Sequence, residues 1–178
     1  GGNEEYKGAA RGTAYHRLME CLDYTAVDSE SQIHKQITAL TEAKKMAYEE
    51  AQCIRIQDIM TFLHSEIGQR MKKAFEADQL YREQPFVLAQ SMKNIEKDWN
   101  GEETVLVQGI IDAYFIEDEE IVLVDYKTDK VRKGEEQHLI DLYHTQLEDY
   151  AQALERMLQK KVKETCIYSF TLGKMIPV

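Results

Sequence analysis

GIIDAYF (residues 109–115) and IVLVDYK (residues 121–127) are the two segments that decide the fold of this chain. Both segments are apolar and rich in β-branched residues, and an acidic stretch separates them, which predicts two strands joined by a turn. If the turn lies midway along the acidic stretch 117–120, Asp112 is directly opposite Asp125, with the two Cβ atoms roughly 5 Å apart. The sequence therefore predicts a hairpin that carries two adjacent carboxylates.

Lys127 lies two residues after Asp125 and therefore points to the same face of the strand. Two acids and an ammonium group are costly to bury on an otherwise apolar hairpin. A divalent cation between the carboxylates would offset that cost, because such ions prefer oxygen ligands. The hairpin acids are therefore candidate metal ligands, and a structural ion pair at the strand end remains the alternative. Glu42-Ala43-Lys44 repeats the acid-x-lysine pattern, but without an acidic partner strand it indicates a solvated helix face.

The composition leaves nucleic acid open as a substrate. The chain has 178 residues, enough for one compact domain with a substantial core, and a net charge of −10. An acidic chain lacks the excess of Lys and Arg that phosphate binding usually requires. That objection weakens when carboxylates serve as metal ligands, or when a partner surface supplies the basic groove.

Cysteine usage and hydropathy limit the class of protein further. Cys21, Cys53 and Cys166 form no CxxC pattern and are predicted to be reduced, mostly buried thiols. No run of 18 apolar residues is present, which excludes a hydrophobic membrane span, and no signal peptide is visible. We therefore expect a cytoplasmic protein without a membrane partner.

Periodicity along the chain predicts an α/β (α+β) fold made of helices, three strands, a helix and a further strand. Asn100-Gly101 is typical of a hairpin turn before the second strand. We expect one domain, 1–178, with a mostly helical region at 1–80, and with the sheet, its helix and the hairpin acids at 81–178. The predicted helices span 12–24, 31–49, 52–64, 66–77 and 139–159, and the predicted strands span 86–89, 104–115, 121–126 and 162–170.

Three further elements carry polar side chains that could contribute to a site. His16 and Glu20 are four residues apart on an otherwise apolar helix, where a histidine is usually structural. Gln146 and Tyr150 share a helix face in the same way, and taken alone they are ordinary polar residues of a helix. Glu83 precedes the first strand, where an exposed loop carboxylate is favoured over a place in the site.

Four short segments, in order along the chain, carry a resemblance: Gly12-Thr13-Ala14-Tyr15-His16, Gly109-Ile110-Ile111-Asp112, Asp125-Tyr126-Lys127-Thr128-Asp129 and Gln146-Leu147-Glu148-Asp149-Tyr150. Together they resemble the nuclease domain of the RecB family, within the PD-(D/E)XK superfamily. Each segment is weak alone, but the ordered set, which spans residues 12 to 150, is specific. The stretch from Tyr168 to Lys174 is similar to the end of AddA-type helicase–nuclease subunits. Iron–sulfur members carry a cysteine cluster after the last helix, where this chain has only Cys166, so no cluster is expected.

The resemblance implies a restriction-endonuclease-like core of helix, three strands, helix and strand, with extra N-terminal helices. It implies that Mg²⁺, or Mn²⁺ in its place, binds to His16, Asp112, Asp125 and the backbone carbonyl of Tyr126. Lys127 would complete the catalytic set with the two aspartates, because it would orient or activate the attacking water and stabilise charge on the phosphate.

The resemblance also implies supporting residues and a biological setting. Gln146 and Tyr150 would hold the DNA strand or support Lys127, and Glu83 would support the same site. The expected activity is hydrolysis of single-stranded DNA that a helicase supplies, in double-strand break repair and recombination. The expected partners are a helicase motor in the same longer chain and a second protein of AddB type, in the bacterial cytoplasm.

Three alternatives remain open at this point. The chain could be a different PD-(D/E)XK enzyme, such as a stand-alone repair exonuclease or a CRISPR-adaptation nuclease. It could be a catalytically silent nuclease-like module that binds DNA or contacts another protein chain, although the presence of every proposed ligand argues against that. A purely helical acidic scaffold would leave the hairpin acids unexplained.

Overall fold

A computed structural model describes residues 1–178 and confirms the predicted order of helices, three strands, helix and strand. A short final strand follows that was not predicted. None of the helices is both long enough and apolar enough to cross a membrane. The elements are α1 (Gly2–Cys21), α2 (Glu30–Glu42), α3 (Tyr48–Ala51), α4 (Ile56–His64), α5 (Glu66–Glu76), β1 (Leu80–Ser91), α6 (Met92–Ile95), β2 (Thr104–Glu117), β3 (Glu120–Lys127), α7 (Glu136–Leu158), β4 (Val162–Ser169) and β5 (Lys174–Pro177).

The five strands form one sheet in the order in which they occur along the chain. Strands β1, β2 and β3 are antiparallel neighbours, β4 is parallel to β3, and β5 is antiparallel to β4. The parallel pair needs a long crossover connection, and α7 provides it. The sheet therefore combines a three-stranded meander with one β–α–β unit.

The β2–β3 hairpin has the predicted register. Asp118 and Glu119 have φ angles of 52° and 65°, as two-residue hairpin turns of the type that matches strand twist require. The paired residues run from Glu117 opposite Glu120 to Ala113 opposite Val124. Asp112 and Asp125 are the next residues beyond the last pair, and the charge of Asp112 acts on Asp125.

Helices cover both faces of the sheet. On one face, β3 and β4 side chains such as Val124 and Tyr168 pack in a 25-residue core with α1, α2, α4 and α5. On the other face, Leu123 and Ile167 pack against Leu147 and its neighbours on α7 in a 13-residue core. Because successive side chains of a strand alternate between faces, Asp125 belongs to the α7 face of β3.

Within β1, the side chains that point to a given face of the sheet change at Glu83. Arg82, just before this point, donates to the carbonyl oxygens at the end of α1, whereas Phe86 and Leu88, just after it, pack on the α7 side. Glu83 itself has a φ angle of 51°, which breaks the alternation. The strand predicted at 86–89 was too short. Pro85 does not interrupt β1, because β1 lies at the edge of the sheet, where a proline is tolerated.

Two further predicted features were wrong. The helix predicted at 31–49 stops at Glu42, because Lys44 adopts a left-handed conformation with a φ angle of 58°. Asn100-Gly101 does not form a tight hairpin turn, since the last β1–β2 pair joins Ser91 to Thr104 and leaves 92–103 for α6 and a loop.

Arg70 on α5 ties two strands together through their carboxylates. Its Nε and Nη2 atoms donate to the two carboxylate oxygens of Glu117 at 3.0 and 2.8 Å, and it also contacts Glu164 on β4. The hydrogen bonds from Arg70 are the main reason that the pKa of Glu117 is lowered to about 2. The ionised carboxylate therefore stabilises the folded chain.

Replacing Glu117 with glutamine should lower the free energy of unfolding by about 1 kcal/mol at pH 7, as expected for a partly exposed pair. A lowered pKa gives stability that is fully present above the ordinary glutamate pKa and is lost as the pH falls toward 2. Urea unfolding at pH 7, 4 and 3 should therefore show the difference between wild type and variant shrinking with acidity. A difference that grows with acidity would contradict this assignment, and Glu119→Gln, at an exposed turn position, is the matched control.

Candidate active site

The end of β3 brings a buried carboxylate and a lysine into contact. Lys127 Nζ lies 2.9 Å from Asp125 Oδ2, and the exposed fractions of the two side chains are 16% and 4%. Asp125 Oδ2 nevertheless receives no directed hydrogen bond, so the contact is an ion pair. A buried carboxylate oxygen without a hydrogen-bond donor is expensive, which indicates a role other than stability.

Asp112 receives two nitrogen contacts on one oxygen. His16 Nε2 lies 3.1 Å from Asp112 Oδ2, and the backbone N–H of Tyr126 donates to the same oxygen at 2.9 Å. The other ring nitrogen of His16 lies 2.8 Å from the Gly12 carbonyl oxygen. Both nitrogens thus face acceptors, an arrangement that only the protonated ring satisfies completely.

Burial and neighbouring charges shift the pKa values of these groups. Burial acts to lower the pKa of His16, but its hydrogen bond to Asp112 and the charge of Asp112 outweigh burial and raise it to about 9. Burial raises the pKa of Asp125, and the negative charge of Asp112 raises it further, while Lys127 opposes both. A cation between the two carboxylates would relieve this repulsion.

The chemistry of the donor set fits a hard divalent cation. Asp112 and Asp125 offer carboxylate oxygens, one of them buried without a hydrogen bond, and His16 offers an imidazole. Oxygen ligands with a single imidazole suit Mg²⁺ and Mn²⁺. These side chains contact other residues of the site, however, and no three His, Cys, Asp or Glu side chains are grouped as a ready-made metal site. The predicted ligands are therefore neighbours rather than a closed ligand set.

Helix α1 is held against the segment that follows β3, and this places His16 beside Asp112. Arg11 Nη1 donates to the Thr128 carbonyl oxygen at 2.7 Å. A Cβ atom at Gly12 would lie 3.3 Å from Thr128 Oγ1, so the close approach favours glycine. His16 then lies one helical turn beyond Gly12, on the same face of α1.

Glu83 lies in β1 and not in the exposed loop that its sequence position favours. The β1–β2 register places it across from Asp112, and it is half-buried. Burial raises the pKa of Glu83, followed by the negative charges of Asp112 and Glu20. Glu20 is thus close to the site too, and its four-residue spacing from His16 was the signal that could have identified it.

Helix α7 contributes Tyr150 and Gln146. Tyr150 is buried and packs edge-to-face on Phe86, with 5.1 Å between ring centroids. Burial, followed by the charges of Asp125 and Asp112, raises the pKa of Tyr150 to about 12, while the neighbouring Gln146 side chain acts to lower it. Gln146 is exposed. The structure therefore brings both predicted residues of α7 to the edge of the carboxylate site.

Two site neighbours, Tyr143 and Asp129, were not predicted. The Tyr143 ring centroid lies 3.9 Å from Lys127 Nζ, and the Tyr143 hydroxyl donates to Asp129 Oδ2 at 2.6 Å. The signal that could have identified Tyr143 is its position three residues before Gln146, which places it on the same side of α7.

Gly109 leaves room for the aromatic pair beside the site, and Gly109→Ala should therefore disturb it. The new Cβ atom would lie 3.0 Å from Phe86 Cε1 and 3.8 Å from Tyr150 Cε1, and Phe86 is buried. Overpacking of this kind typically costs about 1–3 kcal/mol, measurable by urea unfolding. Gly8→Ala is the control, because nothing lies within 4 Å of its Cβ position on α1 and alanine favours the helix. Equal effects of the two variants would contradict the role of Gly109.

The sequence of this chain is similar to those of known nucleases and helicase/nuclease subunits. A family model described as the PD-(D/E)XK nuclease superfamily matches residues 2–175. Three bacterial proteins that are similar to this chain are each named as the A-type subunit of an ATP-dependent helicase/nuclease. The protein from Alkaliphilus metalliredigens is 40% identical and the match covers 97% of this chain and 14% of the relative. The corresponding values are 36%, 98% and 14% for Clostridium perfringens, and 33%, 98% and 15% for Lachnoclostridium phytofermentans.

The extent of these matches differs between the chain and its relatives. The chain spans about one seventh of the length of the curated relatives that it matches. Among solved structures, one titled "Crystal structure of SSO0001" matches 92% of this chain and 63% of its own, at 16% identity and a TM-score of 0.39. That likeness is too weak to add to the family match.

Proposed function

The chain belongs to the PD-(D/E)XK nuclease superfamily, and from this premise we propose that it is the metal-dependent nuclease domain, residues 1–178, of a longer helicase–nuclease protein. The family match and the relatives agree with the resemblance predicted from the four motifs, and the mixed sheet and helices agree with the predicted restriction-endonuclease-like fold. The observation that carries the proposal is the buried Asp125 carboxylate, which feels the negative charge of Asp112 and contacts Lys127.

The proposed reaction is hydrolysis of the phosphodiester bonds of single-stranded DNA by an exonuclease mode of attack. Lys127, whose side chain is 16% exposed and whose Nζ lies beside Asp125, is the group that reaches the phosphate or the attacking water. Tyr150 and Gln146, both on α7, lie beside the carboxylates of the site and contact or position the DNA strand. A strand supplied by a motor would be held near the site, which reduces the need for a basic groove on a domain of net charge −10.

The proposed cofactor is Mg²⁺, for which Mn²⁺ can substitute. Asp112, Asp125, His16 and the backbone carbonyl of Tyr126 are its proposed ligands, supported by the donor set described above. When bound, such an ion supplies Lewis-acid stabilisation of charge on the phosphate. Glu83 and Glu20 place further negative charge beside these ligands and favour a cation there.

The proposed partners follow from the relatives. Those proteins are named as parts of ATP-dependent helicase/nucleases, and this chain matches only about one seventh of each. We propose that a helicase motor lies in the same longer chain, that a second protein of AddB type completes the enzyme, and that the enzyme works in the bacterial cytoplasm in double-strand break repair and recombination.

Cleavage assays on end-labelled DNA test the proposed function. The chain, and a full-length relative in parallel, would be given linear single-stranded DNA, the matching duplex and a single-stranded circle, each with Mg²⁺, Mn²⁺ or EDTA. We expect cation-dependent degradation of the linear single strand, with the circle resistant if free ends are required. If neither protein degrades the linear single strand, the proposal is wrong. Cation binding without cleavage would favour a silent nuclease-like module instead.

A further inference from the structure

The Lys127 ammonium group has two close neighbours. Asp125 Oδ2 lies 2.9 Å from it, but this ion pair lacks directed hydrogen-bond geometry. The second neighbour is Tyr143, whose ring centroid lies 3.9 Å from Nζ. Because lysine has a flexible four-carbon stem, a single Coulomb contact does not fix the direction of its ammonium group. The ring face of an aromatic residue attracts the ammonium and supplies the second constraint.

The Tyr143 ring is itself anchored. Its hydroxyl donates to Asp129 Oδ2 at 2.6 Å, and Asp129 lies two residues beyond Lys127, on the segment that leaves β3. Burial raises the pKa of Tyr143, and the hydrogen bond to Asp129 raises it further, so the phenol stays protonated and keeps donating. One tyrosine thus joins α7 to both the lysine and the segment that carries it.

We propose that Tyr143 is a positioning residue for Lys127: its ring face holds the ammonium group beside Asp125, and its hydroxyl bond to Asp129 keeps the ring in that place. The inference rests on the proposed nuclease function for its effect on rate, but the placement of Lys127 is measurable without any activity. A misplaced Lys127 should slow the chemical step, since small displacements of a reacting group cost large factors in rate. Substrate affinity should change little, because Tyr143 acts through the lysine.

Tyr143→Phe and Tyr143→Leu separate the ring from the hydroxyl. The phenylalanine variant keeps the ring face and loses the bond to Asp129, whereas the leucine variant loses both. We expect kcat to fall by about 10- to 100-fold in the leucine variant and by less than about fivefold in the phenylalanine variant, with KM within about twofold of wild type. Tyr48→Leu, which removes an exposed tyrosine from α3, is the control and should leave both constants unchanged. A phenylalanine variant as slow as the leucine variant would overturn the role assigned to the ring.

A double variant distinguishes positioning from a general structural role. If Tyr143 acts through Lys127, adding Tyr143→Leu to Lys127→Met should cost no further activity, whereas independent effects would multiply. Multiplied losses would contradict the proposal.

A spectroscopic measurement tests the contact even if the isolated chain does not cut DNA. With ¹³C-labelled lysine, the Hε protons of Lys127, assigned through Lys127→Met, should show an upfield ring-current shift in wild type. The shift should persist in Tyr143→Phe and disappear in Tyr143→Leu. An unchanged Lys127 signal in the leucine variant would overturn the proposal. If the wild-type protein shows the expected ring-current shifts but does not cleave DNA, that result counts against the proposed function alone.

Discussion

Asp125→Asn should abolish DNA cleavage while the folded chain stays at least as stable as wild type. Asparagine keeps the shape of the side chain but removes the negative charge that the proposed cation needs. The expected loss of kcat is on the order of 1000-fold or more. The cation would stabilise the transition state by several kcal/mol, and about 1.36 kcal/mol corresponds to a factor of ten in rate. Cleavage of end-labelled single-stranded DNA measures this loss, and calorimetric titration with Mn²⁺ should show weakened binding.

The stability of the same variant separates a metal ligand from a structural ion pair. Burial and the charge of Asp112 raise the pKa of Asp125, which means that its ionised form opposes folding above its ordinary pKa. Removing that charge should leave the free energy of unfolding at pH 8, measured in EDTA, unchanged or higher. A stabilising buried ion pair would behave in the opposite way, because removing one partner typically costs about 3–5 kcal/mol.

Asp118→Asn provides the matched control for Asp125→Asn. It makes the same chemical change in the same hairpin, at a turn position whose side chain is 91% exposed. Asparagine also tolerates the left-handed conformation of that position. We expect wild-type cleavage and wild-type Mn²⁺ binding, and a large loss of either would mean that the hairpin, rather than the carboxylate, is being disturbed.

The hairpin that carries the site could be predicted because its determinants are local. An acidic turn of fixed length sets the register, and the two-residue period of the strands then places Asp112, Asp125 and Lys127 together. The actual turn at Asp118 and Glu119 and the pairing of Ala113 with Val124 follow this logic. The four-residue spacing of helices likewise related His16 to Glu20 and Tyr150 to Gln146.

The features that local patterns did not reveal depend on contacts between distant segments. Only the resemblance indicated Glu83, which comes near Asp112 because β1 continues through Pro85 as an edge strand and pairs with β2. Tyr143 approaches Lys127 because α7 packs across the sheet after a long crossover connection. Strand β5 has four residues and is defined by its pairing with β4, so its own sequence carried too little signal.

Lys127→Met is expected to remove cleavage but to retain cation binding. Methionine keeps a similar unbranched stem and loses the ammonium that lies 2.9 Å from Asp125. The proposed ligands all remain, and loss of a nearby positive charge removes repulsion toward a cation, so Mn²⁺ affinity at pH 8 should not fall. We expect kcat to fall by about 1000-fold, the scale associated with losing one preorganised electrostatic group at the reacting centre.

Cleavage and Mn²⁺ binding, measured together on Lys127→Met, separate a chemical role of the lysine from a structural one. Lys130→Met, three residues later at an exposed position, is the matched control and should retain both cleavage and Mn²⁺ binding. If Lys127→Met also loses Mn²⁺ binding, the lysine is needed to hold Asp125 in place and its role is structural. If Lys127→Met cuts DNA at the wild-type rate, neither Lys127 nor the Tyr143 contact that positions it takes part in the reaction, and the chemistry must be assigned to the carboxylates and their cation alone.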